Sequence, residues 1–185
     1  MNVYDFDNTI YRGDSTVNFY LFCMSLYPDF LFRIPYFHFL KFSFRLITET
    51  QLKKRIYEFL PRIDIDVDNL VRAFWHFNKR NIKSWYLNQK KDDDVIISAS
   101  PEFLLEPICK ELGVHLIASK VDKRTGEILS PNNSKEEKVI RFQKEFNLSD
   151  IDAFYSDSNR DKYLAKYAKR AYKVKGALIV PWDVK

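Results

Sequence analysis

The chain has 185 residues, enough for one α/β core with a modest insertion, and a chain of this length buries roughly 70% of its unfolded surface. At 46% hydrophobic and 30% charged with only four glycines, the composition excludes a linker or a disordered tail, although 16% aromatic is unusually high. Thirty lysines and arginines against 25 acids leave a net charge of +5, which favours anionic partners; no compact arginine stripe interleaved with aromatics marks a nucleic-acid groove, so nucleic acid is not an expected partner.

The first predicted element is a short buried strand over Asn2–Phe6, and it runs out into Asp5-Phe6-Asp7-Asn8-Thr9. In open α/β sheets the carboxyl edge of the strands is where ligands bind. Two carboxylates spaced by two at such an edge suit a nucleophile and a proton carrier; the same pattern also suits a strand-end turn with solvated acids.

From Thr16 to Gln89 helical spacing replaces strand signals and glycine is absent, the pattern of an inserted helical cap divided near Pro28, Pro35 and Pro61. An aromatic band runs from Phe19-Tyr20-Leu21-Phe22 through Phe30-Leu31-Phe32 and Tyr36-Phe37-His38-Phe39-Leu40 to Phe42-Ser43-Phe44. Arg33, Lys41 and Arg45 interrupt it, so no stretch supplies the roughly 20 apolar residues a membrane span needs. The band is read either as the core of the cap or as a surface that lies in a membrane interface.

Val95-Ile96-Ile97 is the next predicted strand, and Ser98-Ala99-Ser100-Pro101 then leads into a helix that ends at Gly113. Small residues at a strand-to-helix turn can cradle phosphate through a hydroxyl and free N–H groups; Ser100 is equally read as the N-cap of a helix starting at Pro101. Val114–Ile117 is a further strand. Ser134-Lys135-Glu136-Glu137 then reads as a capping box opening a helix to Phe146, with Lys138 one residue beyond the box. Ile151–Tyr155 is a strand followed by Ser156-Asp157-Ser158-Asn159-Arg160-Asp161, oxygen donors of the kind a magnesium ion takes. A helix over Lys162–Ala168 and a last strand over Ala177–Val180 complete an alternation that predicts a parallel, doubly wound α/β sheet. The scattered His38, His76 and His115 lack metal-ligand spacing and are read as structural. Cys23 and Cys109 are read as buried spectator thiols. Without a basic-then-apolar leader pattern, the expected location is cytoplasmic.

The four signals, in this order and each at a strand end or helix start, resemble the haloacid dehalogenase superfamily of hydrolases, in particular its phosphoserine-phosphatase-like branch with a helical cap between the first two motifs. The resemblance implies a Rossmann-like core over residues 1–14 and 90–185 and a cap over 15–89. It implies a Mg2+-dependent phosphomonoester hydrolase acting on a small phosphorylated metabolite. Asp5 is then the nucleophile and Asp7 the acid/base, with Asp5, Asp7 and Asp157 at the metal. Ser98, Ala99 and Thr9 serve the phosphate loop, and Asp161, close to Asp157, orients water or the lysine. Lys138 matches the family's lysine, which precedes a Val-x-x-aromatic pattern, and Lys135 is the alternative. Asp14 and Arg55 match positions that face substrate in phosphoserine phosphatases. The apolar cap is also similar to that of membrane-associated phosphatidylglycerophosphatases, which makes a lipid phosphate at the inner face of the membrane the second substrate. A catalytically silent protein that docks on a membrane or partner, and a phosphotransferase, are the competing readings. The sequence leaves the oligomeric state open.

Overall fold

The computed structural model describes residues 1–27, 49–58, 60–62 and 66–184. The aromatic band beyond Tyr27, with the divisions at Pro28 and Pro35, lies outside the described residues, as does the side chain of Arg55.

The strands are β1 (Asn2–Tyr4), β2 (Val95–Pro101), β3 (His115–Ser119), β4 (Ala153–Ser156), β5 (Arg170–Lys175) and β6 (Leu178–Pro181). They form one sheet of order β3-β2-β1-β4-β5-β6, parallel except for the last pair. β1 lies between β2 and β4, with Val3 beside both Val95 and Phe154. The chain winds outward through β2 and β3 on one side of β1, and through β4 and β5 on the other. The order therefore reverses between β1 and β4, and a crevice opens at the carboxyl ends of these two strands.

Period-two alternation decides which residues meet which helices. Val3, Val95, Ile97 and Phe154 face one side, where they pack with Phe142 of α6 (Glu136–Phe142) and Leu164 of α7 (Lys162–Ala165). Tyr4 and Ile96 face the other side. There they join Phe19 of α1 (Ser15–Leu26), Phe74 and Trp75 of α3 (Val67–Asn78), Tyr86 of α4 (Ser84–Gln89) and Leu104 of α5 (Glu102–Leu112). Helix α2 (Glu49–Tyr57) adds Ile56 and Tyr57 to the same cluster. Each fully buried side chain of this size stabilises the fold by about 1.5–3 kcal/mol. Aromatic contacts are dense, with Phe74 edge-on to Trp75 at 4.9 Å and Tyr155 stacked between Tyr4 and Tyr172 at 4.7 and 4.9 Å. No described helix is long and apolar enough to cross a membrane.

Four local expectations change. β2 continues to Pro101, which itself stands at the N-cap of α5, so Ser100 is a strand residue and caps nothing. The capping box at Ser134 does not form: Lys135 holds the N-cap position of α6 at φ 56° and makes no side-chain cap bond. α6 and α7 stop at Phe142 and Ala165, short of the expected ends. Finally, Arg170–Lys175 is a strand the sequence reading missed, and the last strand returns antiparallel to it. Gly113 does end α5, in the left-handed conformation expected of a terminal glycine.

Candidate active site

The crevice at the switch between β1 and β4 is a cavity of about 180 Å³, walled by Asp5, Asp7, Ser98, Lys138, Asp157 and Asp161. They come from four separate parts of the chain, the loop after β1, strand β2, the start of α6 and the segment after β4, and the sheet order brings them together. Asp5 directly follows β1, and its N–H donates to Tyr155 O of β4 at 2.9 Å, which fixes the backbone at the reversal point. Asp157 follows β4, and its N–H donates to Thr9 Oγ1 at 2.9 Å while Thr9 Oγ1 donates to Asp5 Oδ2 at 3.4 Å. Buried Thr9 thus couples the two acidic loops.

Lys138, on α6, is 2% exposed and reaches across to both acids: Nζ lies 2.7 Å from Asp5 Oδ1 and 2.9 Å from Asp161 Oδ1. Asp161 Oδ2 in turn accepts a 2.6 Å bond from Ser156 Oγ, so the serine that ends β4 orients this carboxylate. Burial opposes the charge on Lys138, but Asp161 and Asp5 outweigh it and hold the ammonium well above the usual lysine range. For Asp5, burial pushes the carboxyl upward, Lys138 opposes it, and Asp161 adds to the rise. Lys135 does not line the cavity, and Lys138 does.

Asp7 points elsewhere along the same wall. Its Oδ1 accepts from Ser15 N–H at 2.6 Å at the start of α1, and its Oδ2 accepts from Ser100 Oγ at 2.5 Å. Thr16 Oγ1 lies 2.9 Å from Ser100 Oγ. Burial, then the neighbouring charge of Asp14, raises the Asp7 carboxyl to about 6, against the pull of the Ser100 and Ser15 bonds. This Ser15–Thr16–Ser100 clamp was not foreseen. Its only trace in the sequence is a run of small hydroxyl residues, which also reads as helix capping.

On the opposite side, Ser98 Oγ accepts the Ser100 N–H at 3.1 Å and so keeps its own proton for another acceptor. Buried Asn133 donates to Ser98 O and Ile117 O at 3.0 and 2.9 Å, holding β2 at Ser98 against β3. Lys53 of α2 donates to Ala99 O and Asn132 Oδ1, both at 2.8 Å, and lines the cavity. The sequence reading singled out Arg55, whose backbone belongs to α2; Lys53 had no signal to separate it from its basic neighbours. Asp14 caps α1 through a 2.9 Å bond from Val17 N–H and also lines the cavity.

Among the described residues, no three His, Cys, Asp or Glu side chains gather into a preformed metal cage. Magnesium does not need one, since it takes one or two carboxylates and retains water. Asp5 and Asp157 face the same cavity, and burial followed by the charge of Asp161 raises the Asp157 carboxyl. Five carboxylates, Asp5, Asp7, Asp14, Asp157 and Asp161, with Lys138 as the buried cation form an acid-rich rim whose oxygens suit a hard divalent cation.

The topology and rim define the class first, an open α/β sheet with a carboxylate and lysine centre at its switch point. The family model of haloacid dehalogenase-like hydrolases matches residues 3–166, and the chain belongs to that family. Among solved structures it is similar to a protein of unknown function from Bordetella pertussis Tohama I, with a TM-score of 0.74 at 20% identity over 92% of this chain and 87% of that one. It is also similar to a phosphoserine phosphohydrolase-like protein from Francisella tularensis subsp. tularensis SCHU S4 (TM-score 0.53, 18% identity, 92% and 86% covered). A phosphoserine phosphatase in apo form gives a TM-score of 0.54 at 17% identity, with 91% and 82% covered. At these identities the likeness is one of fold. No curated protein matches the chain.

Proposed function

We propose that the chain is a magnesium-dependent phosphomonoester hydrolase that forms an aspartyl-phosphate on Asp5 and acts on a small phosphorylated metabolite. One observation carries this reading: buried Lys138 bridges Asp5 and Asp161 in the same cavity that holds Asp7 in its separate hydroxyl clamp. Family membership and the fold likeness to phosphoserine phosphatases support it.

In this reading Asp5 Oδ2, the oxygen not engaged by Lys138, attacks phosphorus, and the ester P–O bond breaks. Asp7 gives its proton to the departing alkoxide and then takes one from the water that attacks the aspartyl-phosphate, which releases phosphate and restores Asp5. A carboxyl raised to about 6 suits both halves of that exchange. Ser98 Oγ and the Ala99 N–H bind phosphoryl oxygens, and Lys138 offsets the charge of two anions brought together. The carboxylates of Asp5 and Asp157 with the Asp7 backbone carbonyl would hold the magnesium ion. That ion supplies positive charge to the phosphoryl oxygens. Residues 15–89 act as the cap over a core of 1–14 and 90–185, with Thr16 and Lys53 as its contacts with Ser100 and Ala99. Asp14 lines the cavity and is the cap-side candidate for substrate contact. The lipid-phosphate and silent-docking readings rest on the aromatic band, of which only Phe19–Phe22 falls among the described residues, with Phe19 and Tyr20 buried in the core.

Phosphate release from an aryl phosphate tests the reading. Turnover that needs magnesium and disappears in a folded Asp5→Asn variant is the expected result, whereas full activity in that variant overturns it. Hydrolysis gives free phosphate; a phosphorylated acceptor among the products would identify a phosphotransferase.

A further inference from the structure

Behind the Asn8 and Asp157 wall of the active site lies a second, larger cavity of about 490 Å³, with Arg12, Lys83, Lys175 and Trp85 among its other lining residues. Its cations come from three separate parts of the chain: the loop after β1, the start of α4 and the β5–β6 hairpin. Lys83 is fixed rather than loose, since Nζ donates to Asn8 O at 2.5 Å and to Gly176 O at 2.9 Å. Both acceptors are neutral carbonyls, so neither neutralises its charge. Lys173, on the adjoining strand, has a buried Nζ without a hydrogen-bond partner among the described residues, 4.0 Å from the centre of the Trp182 ring.

Among the described residues none of Arg12, Lys83, Lys173 and Lys175 forms an ion pair with a carboxylate. Burial lowers Lys83, with Arg12 acting in the same direction against the pull of Asp157; burial likewise lowers Lys173 against the pull of Asp157 and Asp161, with Lys175 acting in the same direction as burial. Like charges gathered around a concave space, with Asp157 as the acid in the wall, create a positive potential that a multiply charged anion relieves. Nothing in the phosphatase chemistry uses these groups.

We propose that this cavity is a phosphoanion-binding site distinct from the catalytic one, in which Arg12, Lys83 and Lys175 hold a phosphate or diphosphate group. The group belongs either to a free phosphorylated ligand or to a second phosphate on the substrate, since Asn8 and Asp157 wall both cavities. The site stands independently of the hydrolase reading, because binding is measurable without turnover.

Trp85 gives the readout. Inorganic pyrophosphate is titrated into magnesium-free protein and tryptophan fluorescence followed, with the wild type, Arg12→Gln/Lys175→Gln and Ser98→Ala compared. Both residues of the double variant are exposed, and matched thermal melts establish that it folds. The expected result is saturable binding that weakens at least about tenfold in the double variant, weakens with added salt, and persists in Ser98→Ala. No saturable binding overturns the proposal. So does binding that Ser98→Ala removes and the double variant keeps, which would assign the anion to the catalytic cavity. Turnover then separates the sources. If the double variant loses kcat/KM toward fructose 1,6-bisphosphate but keeps it toward 4-nitrophenyl phosphate, the ligand is a second substrate phosphate. If both substrates are turned over as by the wild type while pyrophosphate binding is lost, it is a free phosphoanion. Absence of all turnover alongside intact pyrophosphate binding would count against the hydrolase reading alone.

Discussion

Lys138 and Lys135 stand three residues apart, yet their surroundings differ completely. The first is buried between two carboxylates, and the second begins α6 with φ 56°, a conformation in which a side chain other than glycine or asparagine is strained. Lys138→Met is therefore expected to lower kcat at least about a hundredfold and to cost about 3–5 kcal/mol of stability, because Asp5 and Asp161 are left without their cation. Lys135→Gly is expected to keep activity and to match or exceed the wild-type melting temperature. Equal losses of activity in the two would contradict this assignment. Asp7 gives a second residue-scale test. Its folded carboxyl is raised to about 6 from 3.8, so the folded state holds a proton the unfolded state has lost. Its stabilising effect is thus complete below about pH 4 and fades as pH rises through 6. In metal-free protein, urea titrations across this window should show a decline in stability that Asp7→Asn lessens; an unchanged slope in the variant would refute the raised carboxyl.

At the scale of elements, what the sequence disclosed follows from how each element is stabilised. β1, β2 and β4 are buried and apolar on both faces, which leaves a continuous hydrophobic run that any reading detects. β5 reads Arg-Ala-Tyr-Lys-Val-Lys, and its lysines mask the alternation, so only pairing with β4 and β6 reveals it. Asp5, Asp7, Ser98, Asp157 and Asp161 stood out because strand ends are marked locally. The clamp on Asp7 and the reach of Lys53 did not, because α1 and α2 contact β2 through tertiary packing that leaves no local pattern. The same packing makes Gly126 a sensitive point. A Cβ there would lie 2.3 Å from the Tyr57 carbonyl oxygen at the end of α2, at a φ of +73° that already disfavours other residues. Gly126→Ala is expected to destabilise the protein by about 1–3 kcal/mol. A melting temperature equal to that of the wild type would show that α2 is not held at this contact.

For the whole molecule, the sheet order gathers five carboxylates at one switch point and leaves Lys138 as the buried cation among them. A protein built this way is least stable when its rim is most charged, and a divalent cation should act as a structural as well as a chemical partner. Magnesium at a hundred times its dissociation constant should add about 2.7 kcal/mol of stability. Asp157→Asn should lose most of this gain, and a gain of the same size in that variant would place the ion elsewhere.

The account centres on a covalent bond to one oxygen of Asp5. Acid quenching during turnover, followed by peptide mass analysis, observes it directly. The account predicts a phosphoryl group on the peptide containing Asp5 in the wild type and none in Asp5→Asn. Sustained turnover with that peptide unmodified, or with the phosphoryl group on another residue, would contradict it.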